Sequence, residues 1–359
     1  MIRRPQNIKP GMNIGITAPS FGPGTEPYRS MYFLSKENIE KRGYKIIEGE
    51  TLFKTDGLGI ATDPKFAAKE LVEFWNRSDI DAIISAGGGE LMNETITNVD
   101  FEALKGSTPK WYIGYSDNTN FIFPLVTISG IQGIYGPCIS GFSKTWEEPE
   151  YDAMALLEGS KTSFTGYEKF VNPYLMEKTD ESGEKTCTKE ELMAPYDYND
   201  EKVLSTYVCN GGKSVKVSAD ENVVMEGILI GGCLDVLANM VGTRFDRVKE
   251  FKKENPQLIW VLEACDLTPM SIRRSLWNLR ESGWFDGAAG FVIGRSLAAF
   301  EQDMMGVNRF NAVTDVLAPV GAPVIIDADI GHIDPMLPVI MGANARVSAK
   351  GNEFKVEYI

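Results

Sequence analysis

Asp63-Pro64-Lys65-Phe66-Ala67-Ala68-Lys69-Glu70-Leu71-Val72-Glu73-Phe74-Trp75 and, after a short joint, Asp81-Ala82-Ile83-Ile84-Ser85-Ala86-Gly87-Gly88-Gly89-Glu90 decide how the first half of the chain folds. In the first piece Asp63 is placed to cap a helix, and Pro64 suits the first helical position. Phe66, Leu71, Phe74 and Trp75 then form an apolar stripe. The second piece is a short apolar run closed by glycines, the pattern of a strand covered on both faces. Working outward, Asn13–Ala18, Tyr44–Glu48, Trp111–Tyr115 and Gln132–Tyr135 read as further short buried strands, with amphipathic stretches between them. Strand and helix alternating at this spacing predict an α/β fold: a parallel sheet with helices on both faces, over residues 1–165.

Residues 166–225 break this rhythm. From Thr165 to Glu201 acidic side chains far outnumber lysines and aliphatic residues are few, with turn-rich pieces such as Thr179–Lys185. This reads as an acidic linker or a loop over a cleft, running into hydrophilic strands or hairpins toward Val203–Val217. From Glu226 the apolar pattern returns. Strands are predicted at 226–232, 258–264, 288–295 and 322–327, helices at 234–242 and about 268–282, and a hairpin around Lys350-Gly351. The expectation is a second, smaller α/β domain over 226–359, ending in antiparallel strands.

Composition narrows the function. Fifty acidic against 36 basic residues leave the 359-residue chain at a formal charge of -14, which opposes a nucleic-acid partner. No apolar run reaches the roughly 18 to 20 residues of a membrane span. The opening MIRRPQNIKPGMN has no apolar segment behind its basic residues, so a cytoplasmic protein without a secretory signal is expected. Cys138, Cys187, Cys209, Cys233 and Cys265 are an odd, scattered set without CxxC spacing, which points to reduced thiols and no zinc ribbon. There is one histidine, His332, so a two-histidine metal motif is impossible and any imidazole chemistry must use this residue.

Three turns could carry chemistry. At Ile113-Gly114-Tyr115-Ser116-Asp117-Asn118 a buried strand runs into a serine and then a helix. That geometry can expose a hydroxyl and aim helix N–H groups at the same point. Asn118 replaces the final glycine of GxSxG, and capping of the following helix explains Ser116 and Asp117 equally well. Gly87-Gly88-Gly89 also follows a strand and could present backbone N–H groups to an anion, although it lacks nucleotide-loop spacing. His332 sits in a Gly/Asp/Pro turn after a strand, where a ring is exposed yet fixed. Its orienting acid could be Glu263, at the end of the apolar strand Leu258–Glu263, with Asp327 and Asp329 close behind as alternatives.

Together these residues resemble the LD-carboxypeptidase family of serine peptidases, which includes the microcin C immunity proteins. The matching segments are IGITAPS (14–20), SAGGGELMNE (85–94), IGYSDNTNF (113–121), EGILIGGCLDVL (226–237), WVLEACDLTP (260–269), GFVIGR (290–295) and GHIDPMLPVIMGANARV (331–347). The resemblance implies Ser116 as nucleophile, His332 as general base and Glu263 as its orienting acid. It implies an oxyanion hole from the backbone N–H groups of Gly88 and Asp117, two domains with the site between them, and usually a homodimer. The family's Gly-Gly-Asn-Leu turn has Cys233 in place of Asn here.

The expected reaction is acyl transfer through an acyl-enzyme, which needs no metal or organic cofactor. Arg295 is the candidate contact for a substrate carboxylate, although a structural ion pair is the stronger reading of it. Gly89 and Trp146 are further candidate contacts. Three functions follow: a carboxypeptidase for murein peptides, an immunity-type hydrolase of aminoacyl-nucleotide antibiotics, or a non-enzymatic α/β protein holding a small anion. In the second, an aromatic ring such as Trp146, Tyr174, Tyr196 or Tyr198 would stack on the nucleobase.

Overall fold

Six strands form the first sheet, in the spatial order Val339–Met341, Gly133–Tyr135, Trp111–Gly114, Ala82–Ser85, Asn13–Thr17, Lys45–Glu48. All neighbours are parallel except the Val339–Met341 edge, which returns from the far end of the chain and runs antiparallel to Gly133–Tyr135. The three central strands are fully buried or nearly so, as their unbroken apolar runs require. The helix Pro64–Asn76 forms as its sequence predicts: the Asp63 carboxylate accepts from the N–H groups of Lys65 and Phe66. Its buried stripe is Ala67, Ala68, Leu71, Phe74 and Trp75, while Phe66 is only half-buried. The computed structural model describes residues 2–175 and 188–359.

The second sheet has nine strands. Four parallel ones, Asn222–Cys233, Leu258–Glu263, Gly290–Gly294 and Val324–Ala328, make its centre. Antiparallel strands flank them, including the hairpin Asn344–Lys350 and Glu353–Tyr358. This sheet is the wider of the two because the preceding chain adds Ser163–Thr165 to one edge and the hairpin Ser205–Asn210 and Lys213–Lys216 to the other. The chain therefore crosses between sheets in both directions. Thr179–Lys185 and Cys187 lie outside the described residues. The described part of the acidic stretch includes a short pairing of Lys169–Phe170 with Asp200–Glu201 and a helix, Lys189–Met193.

One helix, Thr119–Thr127, is buried along its whole length between the sheets. Phe121 meets Tyr112 and Trp75 on the side of the first sheet, at ring separations of 4.6 and 5.8 Å. Phe123 stacks on Trp284 at 5.2 Å on the other side. Burying such large rings on both faces contributes several kcal/mol. It also fixes the turn that precedes the helix, and that turn carries Ser116.

Candidate active site

Ser116 is one of three non-glycine residues with positive φ among those described, at φ 60°. The strand Trp111–Gly114 ends just before it and a helical turn begins at it. A serine held in the left-handed region costs of order 1 kcal/mol or more, so the surroundings must over-determine it. They do. Asn118 accepts from Tyr112 Oη and donates to the carbonyls of Gly87 at 2.9 Å and Tyr115 at 3.0 Å, tying the elbow to the glycine turn. A Cβ at Gly114 would collide with the Asn118 side chain, which explains the glycine there.

His332 lies on the loop that leaves the second sheet after Val324–Ala328 and joins the first sheet at Val339. Its Nε2 is 2.9 Å from Ser116 Oγ and its Nδ1 is 2.8 Å from Glu263 Oε2. Glu263 ends the buried strand Leu258–Glu263, and glycines at 294 and 331 leave room for it. A Cβ at Gly331 would sit 2.5 Å from Oε2, and one at Gly294 would sit 2.9 Å from the Glu263 Cβ. Three distant stretches thus converge on one hydrogen-bonded relay.

The electrostatics follow from burial against pairing. Burial works against a charged imidazole, but the Glu263 carboxylate and the Cys265 thiol outweigh it and raise the His332 pKa. Burial would raise Glu263, and the facing imidazole with the Tyr135 hydroxyl brings it below its ordinary value instead. Such a pair can take a hydroxyl proton from Ser116 onto Nε2 while the carboxylate holds the Nδ1–H tautomer.

Tyr135, which the sequence offers only as the end of a buried strand, completes the arrangement. Its hydroxyl donates to Glu263 Oε1 and accepts the Ser116 N–H at 2.9 Å. Asp117 is fixed differently: its buried carboxylate accepts from Met92 N at 2.8 Å, from Asn120 Nδ2 at 2.7 Å and from Ser20 Oγ. Gly88 lies against Ser116, and Gly89 lines the same cleft.

Three cavities meet at the relay. The largest of them, about 360 Å³, runs along Phe21, Tyr28, Gly88, Ser116 and His332. A smaller one, about 60 Å³, lies between Ser116 and the acidic side chains Glu90, Asp235 and Asp266. The third, about 230 Å³, borders His332, Tyr196, Glu150, Asp334 and Lys144. Burial there pushes the Asp334 carboxyl up to about 6, although Lys144, Tyr196 and His332 favour its charged form.

Two expected contacts are elsewhere. Arg295 is buried, its guanidinium paired with Asp329 and lying 4.4 Å over the Phe170 ring. The register shift between Ile293 and Gly294 accompanies this departure from the strand line. Trp146 is also buried, donates to the Phe142 carbonyl at 3.1 Å and is covered by Arg42 at 3.3 Å, so no base can stack on it. Asp329 and Asp327 are engaged with Arg295 and Arg309, away from His332. Of the tyrosines, Tyr196 borders the cleft, whereas Tyr174 bonds to the Leu297 carbonyl and Tyr198 to Glu147.

Residues 14–136 match the LD-carboxypeptidase N-terminal domain and residues 226–347 the C-terminal domain of the same family. The chain belongs to the LD-carboxypeptidase family. It is 25% identical over 343 residues to the microcin C7 self-immunity protein of Escherichia coli, covering 94% of this chain and 90% of that one. It is 22% identical over 348 residues to a probable murein peptide carboxypeptidase of Bacillus subtilis, covering 96% and 91%. Among solved structures, the microcin C7 self-immunity protein in complex with aspartyl sulfamoyl adenosine superposes with a TM-score of 0.76 at 21% identity, over 100% of this chain and 98% of that one. The muramoyltetrapeptide carboxypeptidase of Oxalobacter formigenes gives 0.68 at 18% identity, over 97% and 98%. These likenesses extend the two-domain α/β fold over the whole chain.

Proposed function

We propose that this LD-carboxypeptidase family member is a serine-type peptidase that removes the terminal residue of a murein peptide by cleaving an L,D-amide. The observation that carries the reading is the relay of Ser116, His332 and Glu263, with both links below 3 Å. Ser116 Oγ attacks the amide carbonyl as His332 takes its proton, and Glu263 stabilises the imidazolium that forms. The imidazolium then protonates the leaving amine. Water repeats the sequence on the acyl-enzyme and restores the serine. The N–H groups of Gly88 and Asp117 receive the oxyanion, each donor contributing roughly 3 to 4 kcal/mol.

Substrate chemistry follows from the cleft. Lys144 is the one lysine or arginine among the described residues lining the three cavities, and it takes the part considered for Arg295 toward the terminal carboxylate. Glu90, Asp235 and Asp266 beside Ser116 disfavour an acidic acyl group and accommodate an ammonium. The alternative substrate is an aminoacyl nucleotide, which the likeness to the ligand-bound immunity protein supports. A homodimer in the cytoplasm completes the proposal.

The test incubates the protein with a murein tetrapeptide and with an aminoacyl sulfamoyl adenosine in parallel, and mass spectrometry reads which one is cut. Ser116→Ala should lower turnover by about 10⁴- to 10⁶-fold. Full activity in that variant rules out the serine mechanism. Cleavage of the nucleoside alone transfers the protein to the immunity-type reading.

A further inference from the structure

The relay does not end at Glu263. Its second carboxylate oxygen accepts from Tyr135, and the same phenolic oxygen accepts the backbone N–H of Ser116. Four residues therefore close a hydrogen-bonded ring: Ser116 N–H to Tyr135, Tyr135 to Glu263, Glu263 to His332, and His332 to Ser116 Oγ. Tyr135 ends a strand of the first sheet, and Glu263 ends a strand of the second. The phenol is thus a link between the sheets at the point where they must assemble the relay.

We infer that Tyr135 is a positioning residue, which holds the strained Ser116 backbone in place and withdraws part of the Glu263 charge from His332. The inference rests on the proposed serine mechanism for its kinetic consequence, but the hydrogen-bonded ring is independent of any substrate. With its N–H given to Tyr135, Ser116 keeps its φ of 60° and its Oγ toward the imidazole. By saturating Oε1, the phenol also leaves Oε2 as the atom facing Nδ1. A carboxylate shared between two donors polarises each less than it would polarise one alone. Loss of the phenol should therefore strengthen the hold of Glu263 on the protonated imidazole. The titratable groups facing this ring are Cys265, Glu90 and Asp334 around His332, Cys233 and Tyr115 around Glu263, and Cys233 again beside Tyr135. Of these, Cys233 and Tyr115 also neighbour the Tyr135 ring, which Tyr135→Phe retains.

His332 is the only histidine in the chain, so its titration can be followed by NMR without assignment ambiguity. Tyr135→Phe deletes one oxygen and should move the imidazole midpoint up by about half a pH unit or more. Replacing Tyr135 by 3-fluorotyrosine keeps the ring and strengthens the donor, and should move the midpoint down. In hydrolysis, Tyr135→Phe should lower kcat by about 10²-fold, the scale of a misplaced reacting group, with KM little changed. An imidazole midpoint that stays put in both variants overturns the inference, whatever the activity. Shifts of the expected signs in a protein that cleaves no amide support the ring and overturn the hydrolase reading instead.

Discussion

Gly88 lies so close to Ser116 that a Cβ at residue 88 would stand 3.5 Å from Oγ and 3.2 Å from the serine Cβ. The space beside the hydroxyl exists because residue 88 has no side chain. In the proposed mechanism a tetrahedral intermediate occupies that space and its oxyanion reaches the Gly88 N–H. Gly88→Ala should therefore leave melting almost unchanged while reducing kcat by about 10²-fold or more, the effect of losing one oxyanion donor. Thermal melts and steady-state kinetics on the same preparation check it. Unchanged kcat would place the oxyanion elsewhere.

Glu263 and His332 shift each other in opposite directions, which fixes the sign of their pH effects. For His332 the pairing overcomes burial and the folded pKa lies above the unfolded value of about 6.5, so its stabilisation is complete below that pH and is lost as pH rises through the folded value. For Glu263 the folded pKa lies below the unfolded value of about 4.3, so its contribution is complete above that pH and is lost as pH falls through the folded value. The pair stabilises most between those two unfolded values, while the proposed hydrolysis needs neutral imidazole and increases as pH rises toward the folded His332 value. Glu263→Gln should bring the His332 midpoint down, since burial then acts without the charge that chiefly opposes it, with Cys265, Glu90 and Asp334 left to hold the imidazolium. An NMR titration of the single imidazole measures this directly, and an unmoved midpoint would mean that Glu263 does not set it.

Arg295 has a structural part in the fold. Asp329 is fully buried and holds Arg295, Lys202 Nζ at 3.1 Å and the Tyr167 N–H at 2.9 Å. Arg295→Met should destabilise the protein by about 3 kcal/mol, the lower end for breaking a buried ion pair, because Lys202 remains. KM should not change. Urea denaturation and kinetics separate this from a binding role, in which KM would rise without loss of stability.

How far the sequence was readable depends on the range of the interactions involved. Strands such as Ala82–Ser85 and Leu258–Glu263 follow from their own apolar runs, and the Asp63 cap from two adjacent residues. Ser116, Glu263 and His332 stood out because each sits at a strand end or a glycine turn, a local signal. Tyr135 did not, since a tyrosine closing a buried strand looks like core until a carboxylate 128 positions away is seen to meet it. For Arg295 and Trp146 the sequence leaves packing and substrate contact both open, for the same reason. Their partners, Asp329 and Arg42, become visible only once the chain is folded. The widening of the second sheet likewise depends on pairings that span most of the chain, such as Glu357 with Ser163.

Lys144 supplies the last prediction. Its ammonium lies 4.7 Å from the Tyr196 ring centre and donates to the Ala194 carbonyl at 3.2 Å, at the cavity shared with His332. Asp334 borders the same cavity, and burial holds its carboxyl up to about 6, so it competes least with a ligand carboxylate for Lys144 as pH falls through that value. A carboxypeptidase differs from a general amidase in recognising the free carboxylate beyond the scissile bond. Lys144→Met should raise KM about tenfold for a peptide with a free terminal carboxylate, with kcat nearly constant, as expected for loss of a contact made equally in ground and transition states. For the same peptide carrying a terminal carboxamide, the variant and the unaltered protein should perform alike. Equal losses on both peptides would show that Lys144 supports the cleft without reading the carboxylate, and the search for that cation would move beyond the three cavities.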